Sequence, residues 1–105
     1  SGLSFLAATE SALRDKRSIL QDFKARVTRA QVWSYQHPAE FAAALARIIG
    51  IPADAARLQF ERRATRWQSI DAQVVAEQQR TADFYLDAGL IKQRLDVRAT
   101  FEALA

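Results

Sequence analysis

The chain has 105 residues, is 50% hydrophobic and 26% charged, and carries 15 Lys+Arg against 12 Asp+Glu for a net charge of +3. A length near 100 residues predicts a single segment, 1–105, with enough apolar content for one small core. The scarcity of Gly and Pro, three and two residues, excludes low-complexity disorder, and the absence of Cys excludes a disulfide framework or a thiolate metal site. No apolar run approaches the ~18 residues that cross a bilayer. No signal-peptide pattern opens the sequence, so an exported protein would already have shed its signal.

Leu3 to Ala8 is a short apolar run edged by Gly2, which predicts a β-strand. Thr9 or Ser11 then suits the N-cap of a helical turn reaching Arg14, with Glu10 near its positive end. Ser18 to Gln36 is the strongest helix signal: Leu20, Phe23, Val27, Ala30 and Ser34 recur at steps of three and four. His37-Pro38 ends that helix and starts another, because the residue before proline leaves the α region while Pro suits a first turn. Phe41, Leu45, Ile48 and Ile49 are expected to face a core, and Gly50 to cap the C-terminus in the left-handed conformation.

Ile51-Pro52 repeats the device, opening a helix from Ala53 to about Arg63 with Leu58 expected inward. Ala64 to Ile70 has no period and reads as an extended connection. Asp71 is a good N-cap for a helix to Ala88, burying Val74, Val75, Ala82, Tyr85 and Leu86, with Gly89 closing it. Asp96 caps a last helix, Val97 to Leu104. The expected fold is therefore mainly α, with five or six helices and one N-terminal strand. A lone strand cannot satisfy its own backbone donors and acceptors. Its neighbours should therefore belong to another chain or to a larger sheet.

The basic residues are twelve Arg and three Lys; their surplus sits mainly in Arg14–Arg29, with a second cluster at Arg57, Arg62, Arg63 and Arg66. A basic stripe can mark a nucleic-acid footprint. Asp15, Asp22 and Glu61 lie among these arginines, however, and interleaved charge of this kind reads as a solvated helix face. The alternative functional reading is a basic interaction or nucleic-acid-binding domain using Arg26, Arg29, Arg62, Arg63 and Arg66. Trp33 and Tyr35 lie close to Arg26 and Arg29 in that stretch and read as core-edge aromatics rather than base-stacking groups.

Candidate chemistry is sparse. The three Gly stand alone at 2, 50 and 89, so no phosphate loop exists, and the single His, His37, sits at a helix–Pro junction where a helix-end role fits it. Asp83 and Asp87 share a helix face without a third ligand and read as solvated rather than metal-binding. No catalytic residue, metal ligand or cofactor is assigned.

Taken in succession, several stretches look familiar. Gly2-Leu3-Ser4-Phe5-Leu6-Ala7-Ala8 is followed by a helix ending Trp33-Ser34-Tyr35-Gln36-His37-Pro38-Ala39-Glu40. Later come Ile70-Asp71, Val74-Val75-Ala76-Glu77-Gln78-Gln79-Arg80 with Ala82-Asp83-Phe84-Tyr85, then Gly89-Leu90-Ile91 and Leu95-Asp96-Val97. Each stretch is weak alone; their order resembles the C-terminal part of ABC-transporter substrate-binding proteins of the aliphatic sulfonate/nitrate/taurine family.

That resemblance implies a C-terminal segment of an α/β two-lobe, type II periplasmic-binding-protein-like fold, and no enzyme. It implies a role in delivering small oxyanion-bearing solutes to an ABC importer, in the periplasm or lipid-anchored outside a Gram-positive cell. The implied partners are a small anionic solute, whose site needs the missing lobe, and the ABC permease. Nucleic acid is not expected, and exposed apolar surface should favour self-association of this piece. Such solutes are held by hydroxyls and amides at helix N-termini. The comparable junction here is Ala8-Thr9-Glu10-Ser11, which makes Thr9 and Ser11 the candidate ligand-binding residues, with Glu10 unfavourable to an anion.

Overall fold

The computed structural model describes residues 2–104. They contain five α-helices and one 3₁₀ turn: α1 (Glu10–Asp15), α2 (Arg17–Gln36), α3 (Pro38–Ile49), α4 (Ala53–Arg63), α5 (Ala72–Asp87) and the turn Val97–Thr100. The chain divides into two compact units, one spanning Thr9–Gln68 and the other formed by the N-terminal residues to Ala8 with Ser69 onward.

In the Thr9–Gln68 unit, local chemistry sets most of the helix ends. Thr9 caps α1, its hydroxyl accepting the Ala12 N–H at 3.1 Å. A single residue, Lys16, separates α1 from α2, its backbone leaving the helical region at φ −130° and ψ 31°. At ~1.5 Å per residue α2 is a rod about 30 Å long, braced on its surface by an Arg26–Asp22 pair at 2.9 Å. It ends at His37 because Pro38 follows, and Pro38 takes the first position of α3. Gly50 closes α3 in the left-handed region at φ 72°, its N–H donating to the Ala46 carbonyl.

α3 and α4 form a hairpin whose buried centre is Ala42, Ala46 and Ala56, with Ile51 packed against it. Alanine lets two helices approach closely, but an alanine methyl contributes far less on burial than the ~1.5–3 kcal/mol of a Leu or Ile side chain. The rings of Phe41 and Phe60, with centroids 4.8 Å apart, add to the seam. The larger aliphatics expected inside lie outside: Ile48 is 79% exposed, and Ile49 and Leu58 are also exposed. Phe23 of α2 is exposed as well, while Ser34 is the buried member of its stripe and donates its hydroxyl proton to the Gln31 carbonyl at 2.6 Å.

The other unit is organised by α5. Asp71 caps it as expected, accepting the Val74 N–H at 2.9 Å. Val74 and Ala82 are buried on α5 and Val97 on the 3₁₀ turn, while Tyr85 is exposed. The Gln79 amide staples the returning chain: its nitrogen donates to Asp83 Oδ1 and to the Leu95 carbonyl, both at 2.8 Å, and its oxygen accepts the Val97 N–H at 3.0 Å. Gly89 follows α5 with φ 77°. The helix expected over Val97 to Leu104 is a single 3₁₀ turn, capped by Asp96 and ending where Phe101 turns extended.

Leu3 to Ala8 is not a strand, and no strand occurs among the described residues. The physical reason is the one that made a lone strand anomalous. No described segment offers this run a ladder of partners, and no backbone hydrogen bond between described residues involves it. It is irregular and, apart from half-buried Leu3, exposed; the Phe5 ring lies tilted at 50° to that of Phe101, ring centroids 5.4 Å apart. The mainly helical expectation therefore holds, without its strand.

Candidate functional site

Thr9 and Ser11 lie together at the start of α1. Their hydroxyl oxygens are 3.2 Å apart, and Thr9 Oγ1 also accepts the Ala12 N–H. Two hydroxyls carry two protons, and the bond between them uses one. One O–H therefore remains to donate outward, beside the Glu10 carboxylate in the first turn. Both residues are exposed, and the pair acts as the cap of a six-residue helix.

A second constellation sits where α2 and α4 end. Tyr35, Pro38, Phe60, Glu61, Ala64 and Arg66 line a cleft of about 220 Å³. The Arg66 guanidinium carbon lies 4.4 Å from the centre of the Tyr35 ring, and the Tyr35 hydroxyl accepts the Trp67 N–H. Ala64 holds φ 47°, a left-handed backbone that turns the chain out of α4. Glu61 is engaged with Arg57 at 2.7 Å.

His37 is a helix-end residue. Its Nδ1 lies 3.1 Å from the Trp33 carbonyl, which can only accept, so Nδ1 carries the proton. Its ring stacks on Trp33 at 5.1 Å and 17°. Asp83, one of the two spaced acids, accepts from Gln79 and lies 3.9 Å from Arg94. No group of three or more metal-ligating side chains occurs among the described residues, and no described helix is long and apolar enough to cross a membrane.

The five arginines of the alternative reading differ in their engagement. Arg26 is paired with Asp22, and Arg66 lies over Tyr35, whereas Arg29, Arg62 and Arg63 have no ion-pair partner among the described residues.

A further concavity, of about 670 Å³, has no counterpart among the sites read from the sequence. Glu77, Arg80, Thr81 and Phe84 of α5 line it with Gly2 and Leu3. The signal was present as an i, i+3, i+4, i+7 set on one helix face. It was obscured because the same stretch carries the apolar residues that bury the helix.

No protein-family model, curated protein or solved structure matches the chain.

Proposed function

We propose that this chain is the C-terminal part of a solute-binding protein of the sulfonate/nitrate/taurine type, serving an ABC importer from the periplasm or the outer face of the cell. In this reading the two-lobe α/β fold and the solute cleft are completed by residues outside this chain, and the chain itself performs no catalysis.

The observation that carries the reading is an excess of surface. The chain exposes 8295 Å². A compact monomer of 11.8 kDa exposes roughly 5,900 Å². Two separate globules the size of the two units would together expose roughly 7,100 Å². Even against that larger reference the surplus is about 1,200 Å², more than the ~800 Å² that one partner contributes to a standard interface. Large apolar side chains lie on this surface, Phe5, Leu6, Ile48, Ile49 and Leu58 all being exposed, while the buried set is mainly alanine and valine. Leu3 to Ala8 makes no backbone hydrogen bond with another described residue, and an adjoining sheet would satisfy its donors and acceptors.

Within this proposal Thr9 and Ser11 supply one outward hydroxyl to an anionic solute, and Glu10 opposes it, so the pair alone is a poor anion site. Calorimetric titration with ethanesulfonate and with taurine tests the reading, using this chain and the complete polypeptide encoded by its gene. The expected result is no detectable heat of binding for the chain alone and micromolar binding for the complete polypeptide. Low-micromolar binding by the chain alone, or no binding by the complete polypeptide, would overturn it.

One observation favours the basic-surface alternative: Arg62 and Arg63, at the end of α4 and close in sequence to Arg66, have no ion-pair partner among the described residues. Phosphate contacts through them would make retention of single-stranded DNA fall steeply with salt. An absence of retention at low salt removes that alternative.

A further inference from the structure

We propose that the concavity on α5 is a binding site for a free α-amino acid with an apolar side chain. The inference stands on geometry within one unit.

Glu77, Arg80, Thr81 and Phe84 occupy consecutive turns of one face of α5, and the space between that face and Gly2–Leu3 is about 670 Å³. That is within the ~300–1,000 Å³ range of small-molecule sites. Glu77 and Arg80 are one turn apart on this face, close enough for one small ligand to reach both. Neither has an ion-pair partner among the described residues. The site therefore presents one anion and one cation side by side, both available to a ligand.

An α-amino acid carries the complementary pair on adjacent atoms, an ammonium for Glu77 and a carboxylate for Arg80, whose guanidinium fork suits bidentate recognition. Thr81 donates its hydroxyl proton to the Glu77 carbonyl at 3.3 Å, which leaves its oxygen lone pairs to accept from the ammonium. One turn beyond, Phe84 is 66% exposed and, with Leu3, offers an apolar wall for the ligand's side chain. A solute of single charge would leave Glu77 or Arg80 unmatched. An amino acid lacking an apolar side chain would leave Phe84 uncovered.

The test is a titration of the isotopically labelled chain with L-leucine, followed by amide chemical shifts. N-acetyl-leucine, which lacks the cation, and leucine methyl ester, which lacks the anion, serve as controls. The expected result is saturable shifts over Glu77–Phe84 with a dissociation constant on the order of a millimolar. Each control should bind about tenfold more weakly or worse, the worth of a charge-assisted hydrogen bond. Glu77→Gln should weaken leucine about tenfold yet leave N-acetyl-leucine unchanged, and Arg80→Gln should do the same with the methyl ester as the unchanged ligand. The amide spectrum of each variant reports its folding directly. Absence of shifts on α5 at saturating leucine overturns the proposal. So do equal affinities for leucine and its two blocked forms, or variants that weaken all three ligands alike.

Discussion

The Tyr35 hydroxyl, near the end of α2, accepts the backbone N–H of Trp67, a residue thirty-two positions later in the chain. This contact fixes the otherwise irregular exit from α4 against α2, and the Arg66 guanidinium covers the same ring from 4.4 Å. Tyr35→Phe keeps the ring and removes the acceptor, leaving the Trp67 N–H without its partner. The expected cost is about 1–2 kcal/mol, read by urea unfolding. Arg66→Ala removes the cation over the ring together with its hydrogen bond to the Thr65 carbonyl, and should cost about 1 kcal/mol. A neutral Tyr35→Phe would mean that the contact does not hold the segment in solution.

Opposite signs are expected at two left-handed positions. Ala64 adopts φ 47° and Gly50 φ 72°. A Cβ at Gly50 would meet nothing within 4 Å, so backbone strain alone decides the outcome there. An L-residue with a Cβ pays about 1–2 kcal/mol in this region, partly offset by the extra unfolded-state freedom of glycine. Ala64→Gly should therefore raise stability by about 0.5–1 kcal/mol, and Gly50→Ala should lower it by a similar amount. Thermal unfolding of the two variants side by side checks both signs.

Gln79 joins three partners with one amide: Asp83, the Leu95 carbonyl and the Val97 N–H. Gln79→Ala should release the returning segment from α5 at a cost of about 1–3 kcal/mol, because partly buried groups lose their partners. The specific signature is the Val97 amide, whose hydrogen exchange should accelerate about tenfold or more for such a loss. Unchanged exchange at Val97 would show that the staple is dispensable.

Much of the helical layout was legible because it is written in local chemistry. Pro38 after His37, Asp71, Gly50 and Gly89 mark their boundaries by steric and hydrogen-bonding effects confined to a few residues. The faces of the helices were less legible. An apolar stripe says which side seeks cover, not whether anything lies within reach. Hence Ile48, Ile49 and Leu58 were expected inside, whereas the α3–α4 seam is made by the small residues Ala42, Ala46 and Ala56. Leu3 to Ala8 has strand composition, but pairing requires a neighbour that no described residue supplies. The left-handed turn at Ala64 gave no signal because alanine is not a residue that favours it. Likewise, nothing local links Tyr35 to Trp67, and the α5 groove depends on where Gly2 and Leu3 come to lie.

Thr9 has a capping role that can be separated from any role toward a solute. Thr9→Ala removes the acceptor of the Ala12 N–H and should cost about 1 kcal/mol, with loss of α1 helicity measured by amide shifts of Glu10–Asp15. Thr9→Ser retains the hydroxyl and should restore most of it. An unchanged α1 in Thr9→Ala would mean that the hydroxyl is not needed for the cap and is left free for other contacts.

The surplus of exposed surface is most directly tested by sedimentation velocity of the chain over a wide concentration range, with dye binding to apolar surface followed in parallel. A chain that exposes 8295 Å² with Ile48, Ile49 and Leu58 uncovered is expected to associate as concentration rises and to bind the dye at low concentration. A monomer at every concentration that binds no dye would contradict the account, since the chain would then be sufficient in itself.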